Sequence, residues 1–208
     1  MKHLATLFRQ LENVTFVELP IVKTVPMLEA HLAMTFGAVK TCPVPYTNLV
    51  ELAGFLTPLK TFPTRYGLLD FGTWTCLVND MRGESCHVEG YALSRISGCR
   101  AIGVKIRLEN RELHVYEGGE PVREIQSLLD GDRWYFRESG AFQWFEELSE
   151  LTKKKKKEKL SVALLRTYFE RYTGFQFPDW RALNTLRITG CERSLKDLKV
   201  PVIRFEDD

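Results

Sequence analysis

Cys99-Arg100-Ala101-Ile102-Gly103-Val104-Lys105-Ile106-Arg107-Leu108 decides the fold class. Ile102, Val104, Ile106 and Leu108 alternate with Ala101, Gly103, Lys105 and Arg107. A period of two sends successive side chains to opposite faces of a strand. Downstream, residues 112–116 and 122–128 read as two strands joined by the hairpin signal Gly118-Gly119. Residues 133–137 add another, with Trp134 and Phe136 on one face and Tyr135 on the other. Upstream, residues 66–71 and 73–78 are strands with Gly72 between them, read as a bulge rather than a turn. Residues 79–85 form a polar loop, and 91–97 a short helix ended by Gly98.

The flanks change period. Leu4, Leu7, Phe8 and Leu11 recur at helical spacing, and residues 14–19 form a short strand ended by Pro20. Pro26 suits the first turn of a helix striped by Leu28, Leu32 and Phe36, with Gly37 just past its end. Thr41-Cys42-Pro43-Val44-Pro45 is non-helical because each proline biases its predecessor toward extended geometry. Asn48 and Glu51 form a capping box before Leu49, Leu52, Ala53 and Leu56. After the sheet, residues 142–159 read as helix, aromatic first and cationic last. Ser161 then caps a helix striped by Val162, Leu165, Phe169 and Tyr172, with Leu160 and Leu165 as a hydrophobic staple and Gly174 as the stop. The expected architecture is one α+β domain over residues 1–208. A mostly antiparallel central sheet (65–138) is flanked by a helical N-terminal part (1–64) and a helical C-terminal part (142–174), with an irregular tail (175–208) of loop and short strands from Pro178 on.

Composition excludes several function classes. A net charge of +2 gives no bulk argument for nucleic acid or acidic membranes. Thirteen Phe, seven Tyr and four Trp supply a packed core and argue against disorder. Five cysteines at irregular spacing, Cys42, Cys76, Cys86, Cys99 and Cys191, fit reduced thiols in a cytoplasmic protein. Arg9 and Gln10 interrupt the apolar run at the N-terminus, so neither a leader peptide nor a membrane span is expected.

No catalytic constellation emerges, and no cofactor or metal is expected. Cys76, Cys86, His87 and Cys99 lack the tight cysteine pair of a zinc site. No G-x-S-x-G elbow and no phosphate loop is present. An enzyme of unfamiliar type would draw on Asp70, Asp80, Cys86 or His87. Lys153 to Lys157 with Lys159 would serve a nucleic-acid or regulatory binder, but flanking Glu146, Glu147, Glu150 and Glu158 favour a solvated helix end. The densest feature is the ring-rich stretch 134–147. Most of its rings belong to a core, and the remainder form an anchor patch rimmed by Glu138, Glu146 and Glu147. With Asp80, Arg82 and Glu84 of the polar loop, these are the expected partner-binding residues, and a carboxylate rim suits a basic partner.

Three segments carry a family resemblance: Tyr66-Gly67-Leu68-Leu69-Asp70-Phe71-Gly72-Thr73-Trp74-Thr75, Tyr91-Ala92-Leu93-Ser94-Arg95-Ile96-Ser97-Gly98-Cys99-Arg100-Ala101-Ile102 and Asp130-Gly131-Asp132-Arg133-Trp134-Tyr135-Phe136. They resemble a loose group of bacterial proteins that look like immunity proteins of polymorphic toxin systems. The likeness runs from about Tyr66 to Tyr172 and lies in aromatic, glycine and apolar positions. It implies a shared fold and neutralisation of one cognate toxin as partner, and supplies no mechanism; the expected mode is one-to-one binding that occludes the toxin's active site. It implies no particular site residues and leaves the oligomeric state open.

Overall fold

The computed structural model describes residues 13–45, 65–79, 87–107, 109–176 and 185–191. The Leu4–Leu11 stripe, the Asn48 capping box and most of the polar loop, with Asp80, Arg82, Glu84 and Cys86, lie outside them. The α+β expectation holds. Nine antiparallel strands form one sheet among the described residues. They are β1 (Asn13–Val17), β2 (Val39–Pro45), β3 (Arg65–Phe71), β4 (Trp74–Asn79), β5 (Arg100–Ile106), β6 (Asn110–Glu117), β7 (Glu120–Asp130), β8 (Arg133–Gly140) and β9 (Thr185–Cys191). Their order is β2-β9-β3-β4-β1-β5-β6-β7-β8. Four helices accompany it: α1 (Ile21–Phe36), α2 (His87–Ser97), α3 (Leu148–Leu151) and α4 (Val162–Thr173). None of them is long and apolar enough to cross a membrane.

The sheet is wider than residues 65–138. β1 falls on the short strand expected at residues 14–19 and β2 on the extended stretch at 41–45, both inside the N-terminal part assigned mainly to helix, and β9 is one of the short strands expected in the tail. What the sequence did not place is their membership of the central sheet. β1 reads Asn-Val-Thr-Phe-Val and every residue is buried, because it lies mid-sheet between β4 and β5 with helices over both faces. Val14 and Phe16 enter the core under α4 with Ile102, Val104, Leu113, Val115, Tyr168 and Phe169. Val17 enters the opposite core with Leu28 and Leu32 of α1, Leu93 of α2 and Leu68 and Leu77 of the sheet. Such a doubly covered strand is buried on both faces, the polar Asn13 and Thr15 included.

Local signals held where chemistry was local. Ser161 accepts the Leu164 amide at 3.1 Å, Leu160 and Leu165 are buried, and Gly174 closes α4 in the left-handed region. Gly72 sits with Thr73 in a two-residue turn between the paired Phe71 and Trp74, and φ of 74° there is that of a turn glycine, not a bulge. Helix α1 starts five residues before Pro26, which therefore stands inside it. The missing N–H costs a bond to the Val22 carbonyl. Burial of Ile21, Leu28 and Leu32 on one face outweighs that loss. The Thr24 and Thr75 hydroxyls meet at 3.0 Å and both reach the Leu19 carbonyl, which ties α1 to the sheet.

Residues 142–159 are not one helix. Only α3 and a 3₁₀ turn at Lys156–Glu158 are regular. The lysine run has no apolar stripe to bury: Lys153 and Lys155 pair with Glu150 and Glu158, and three other cations lie against the rings of β8. Lys157 Nζ is 5.9 Å from the Trp134 ring, Lys159 Nζ 4.8 Å from Phe136 and Lys156 Nζ 5.7 Å from Tyr135.

Helix α2 begins four residues earlier than its sequence suggests and lies directly on the sheet. A Cβ on Gly90 would stand 2.4 Å from Thr15 Cγ2. Gly90→Val is expected to lower the unfolding free energy by about 1–3 kcal/mol in urea. Thr15→Ser, which removes that methyl, should restore part of it. An unchanged urea midpoint for Gly90→Val would mean that α2 does not dock at this distance.

Candidate functional site

The expected acidic rim divides on inspection. Glu146 does not stand on a surface: its side chain has 0% exposure. Arg123, on the inward face of β7, donates from Nε and Nη2 to the two Glu146 oxygens at 2.8 Å each. The same Nη2 donates to Glu138 at 2.6 Å, and Nη1 reaches the Gly140 carbonyl at 3.0 Å. Glu146 also accepts the Gln143 amide at 2.9 Å. The two carboxylates raise the guanidinium pKa against the opposing effect of burial. This is a buried clamp with its lone pairs and protons satisfied. Glu138 remains 44% exposed at its outer end. Glu147 pairs with Arg171, and its amide donates to the Tyr168 hydroxyl.

The clamp fixes the segment between β8 and α3. Gly140 ends β8 at a φ of 82°, where a Cβ would stand 2.1 Å from the Val122 carbonyl oxygen, so only glycine fits the bend. Phe145 then turns inward, edge-on to Tyr168 and Tyr172 at 5.7 and 5.4 Å. Its carbonyl accepts from Arg171 at 3.1 Å. With the backbone held at both ends, the neighbours of Phe145 are turned outward. Trp144 is 67% exposed, Leu148 64% and Phe142 49%. Phe142 and Leu148 line a recess of about 360 Å³ with Arg123, Glu138, Gly140, Leu151 and Thr152. On the other side of β8, Glu124, Gln126, Phe136, Arg137, Glu138 and Ser139 line an open groove of about 560 Å³.

A second polar cluster lies where the start of α2 meets β5 and β6. The register aligns Lys105 with Glu112 and Gln126, and Gly103 with His114 and Glu124. His87, the first residue of α2, stacks on His114 at 4.5 Å with planes 10° apart. Lys105 donates to Glu112 at 3.0 Å, and His114 Nε2 lies 3.2 Å from the other Glu112 oxygen. Burial raises the Glu112 pKa, but the His114 and Lys105 contacts outweigh it and bring the carboxyl down to about 2. Burial and the neighbouring His114 push the His87 pKa below its ordinary value. His87 is thus the only member of the proposed enzyme set that reaches a cluster among the described residues. Asp70 instead accepts the Gly72 amide at 2.9 Å in the β3–β4 turn. Among the described residues, no three histidine, cysteine or acidic side chains are grouped to hold a metal ion. Cys76 is buried, and burial raises its thiol pKa.

Sequence reasoning did not single out Arg123, Leu148, Lys105, Glu112 or His114. Parity carried a signal for two of them: Arg123 shares a face with buried Ile125, and Glu112 opposes Lys105 once the strands are aligned. No protein-family model, curated protein or solved structure matches this chain.

Proposed function

We propose that this chain is a protein-binding module that docks a partner through the Phe142–Leu148 surface. The partner class implied by the family resemblance is a cognate toxin, and binding through this surface would act by occluding the toxin's active site. The observation that carries the reading is the exposure of Phe142, Trp144 and Leu148 on a segment locked from beneath by the Arg123–Glu146 clamp. Each large apolar side chain contributes about 1.5–3 kcal/mol when buried. A rigid backbone limits the entropy lost on binding, and tryptophan is among the commonest interface anchors. Glu138 and Glu147 border the surface and favour a partner with basic groups at its rim. The lysine run supports nucleic-acid binding less well, since Lys156, Lys157 and Lys159 already lie over β8 rings.

The test is protection from toxicity. Coexpression with a toxin encoded beside this chain should rescue growth, and the purified pair should form a one-to-one complex. The double variant Trp144→Ala, Leu148→Glu should weaken that complex about 100-fold or more, the scale of two anchor residues. Its stability should stay within about 0.5 kcal/mol of the parent, because both side chains are exposed. Full rescue by the double variant would remove this surface from the function.

A further inference from the structure

The two outer strands of the sheet differ chemically. β2 carries Pro43 and Pro45, whose nitrogens have no hydrogen to offer an incoming strand. β8 carries no proline, pairs along β7 without a register break and has no strand on its other side among the described residues. The two-residue turn Gly131-Asp132 fixes which of its groups are spare. Arg133, Tyr135, Arg137 and Ser139 exchange bonds with β7, so the amides and carbonyls of Phe136 and Glu138 point outward. Lys156 lies over the Tyr135 ring and Lys159 over the Phe136 ring, so what the edge offers from Phe136 onward is its backbone rather than those rings.

That stretch is flanked on both sides. One side has the polar groove beside Glu124 and Arg137, the other the recess of Phe142 and Leu148. Successive side chains of an added strand would enter them alternately. Within the groove itself Glu124 and Glu138 stand against Arg137, two carboxylates to one guanidinium group. The excess charge is negative and matches a basic side chain from the partner.

We propose that β8 accepts an extended segment of the partner protein as a tenth strand along Phe136–Gly140. That segment directs a lysine or arginine to the Glu124–Glu138 groove and an apolar residue to the Phe142–Leu148 recess. The inference rests on the reading of the Phe142–Leu148 surface as the docking face.

Linear seven-residue peptides displayed on phage, selected on the immobilised full chain, are the probe. Recovered sequences should alternate basic with apolar residues. Synthetic copies should slow deuterium exchange at residues 136–140 at least tenfold. N-methylation at the peptide amides of one parity should weaken binding at least tenfold, and at the other parity should change it less than twofold. Failure to recover peptides, equal loss at both parities, or protection elsewhere would overturn strand addition. So would a concentration-dependent dimer that protects the same amides and resists displacement by peptide, since the edge would then belong to a second copy. The two readings fail separately. Loss of partner binding by Trp144→Ala, Leu148→Glu without peptide parity keeps the docking face and removes the added strand. Peptide parity with an unaffected double variant does the reverse.

Discussion

Arg123→Met is expected to lower the unfolding free energy by about 3–5 kcal/mol, the cost of leaving a buried charge without its partner. The substitution keeps the volume and strands the Glu146 carboxylate, which has 0% exposure and loses both short bonds from the guanidinium. It also frees the Gly140 carbonyl and the inner oxygen of Glu138. Glu146→Leu alone leaves the arginine with Glu138, which is partly in water, and should cost less. The double variant Arg123→Met, Glu146→Leu removes both charges together and should recover most of the loss, since apolar replacement of a buried ion pair is often close to neutral. Urea denaturation of the four proteins closes the cycle. Additive losses would show that the pair is not coupled. The double variant also separates stability from binding: the clamp holds the segment that projects Trp144, so partner affinity should fall even where stability returns.

The parts of this fold that were legible share a property: the signal and the contact are close in sequence. Ile102, Val104 and Ile106 alternate with smaller or polar residues because one strand has two faces, and Gly118-Gly119 joins neighbours. Ser161 and Gly174 act within a turn of their own helix. The illegible parts are long-range pairings. Nothing local in Asn13–Val17 says that it divides β4 from β5, or in Thr185–Cys191 that it separates β2 from β3. The helical reading of residues 142–159 failed for a related reason. Aromatic and lysine residues there suit a helix, but the lysines found rings on β8 and Phe145 found α4. The docking surface was half legible. Ring density at 134–147 marked the region, yet the acidic residue taken for its rim, Glu146, proved to be its internal support. A glutamate looks the same in sequence whether water or a guanidinium 23 residues away receives it.

Acid should weaken this protein in two stages, and the cluster at the start of α2 sets both. In the native state burial and His114 hold His87 below the ordinary histidine pKa. The unfolded chain takes up that proton near pH 6.5 and the folded one resists it, so the unfolded state binds more protons and stability falls as pH drops below about 6.5. Glu112 adds the second stage with the same sign. Unfolded, its carboxyl is protonated around 4.5, whereas in the fold it stays charged down to about 2. The stability it contributes is complete above about 4.5 and is lost between there and about 2. A gap of about 2.5 between those values corresponds to roughly 3 kcal/mol, and little screening reduces it because the side chain is only 12% exposed. The groups facing the cluster are Lys105 on β5, His114 on β6 and Glu124 on β7. Denaturation curves from pH 8 to 3 should therefore fall first through the histidine range and then more steeply below 4.5. His87→Phe keeps a ring over His114 and should flatten the first stage only. Glu112→Gln should start from a lower stability at pH 7, because Lys105 and His114 lose their carboxylate, and should flatten the second. Curves for Glu112→Gln and the parent that run parallel below pH 4.5 would remove Glu112 from the acid response and leave the fold's lower limit to its exposed carboxylates.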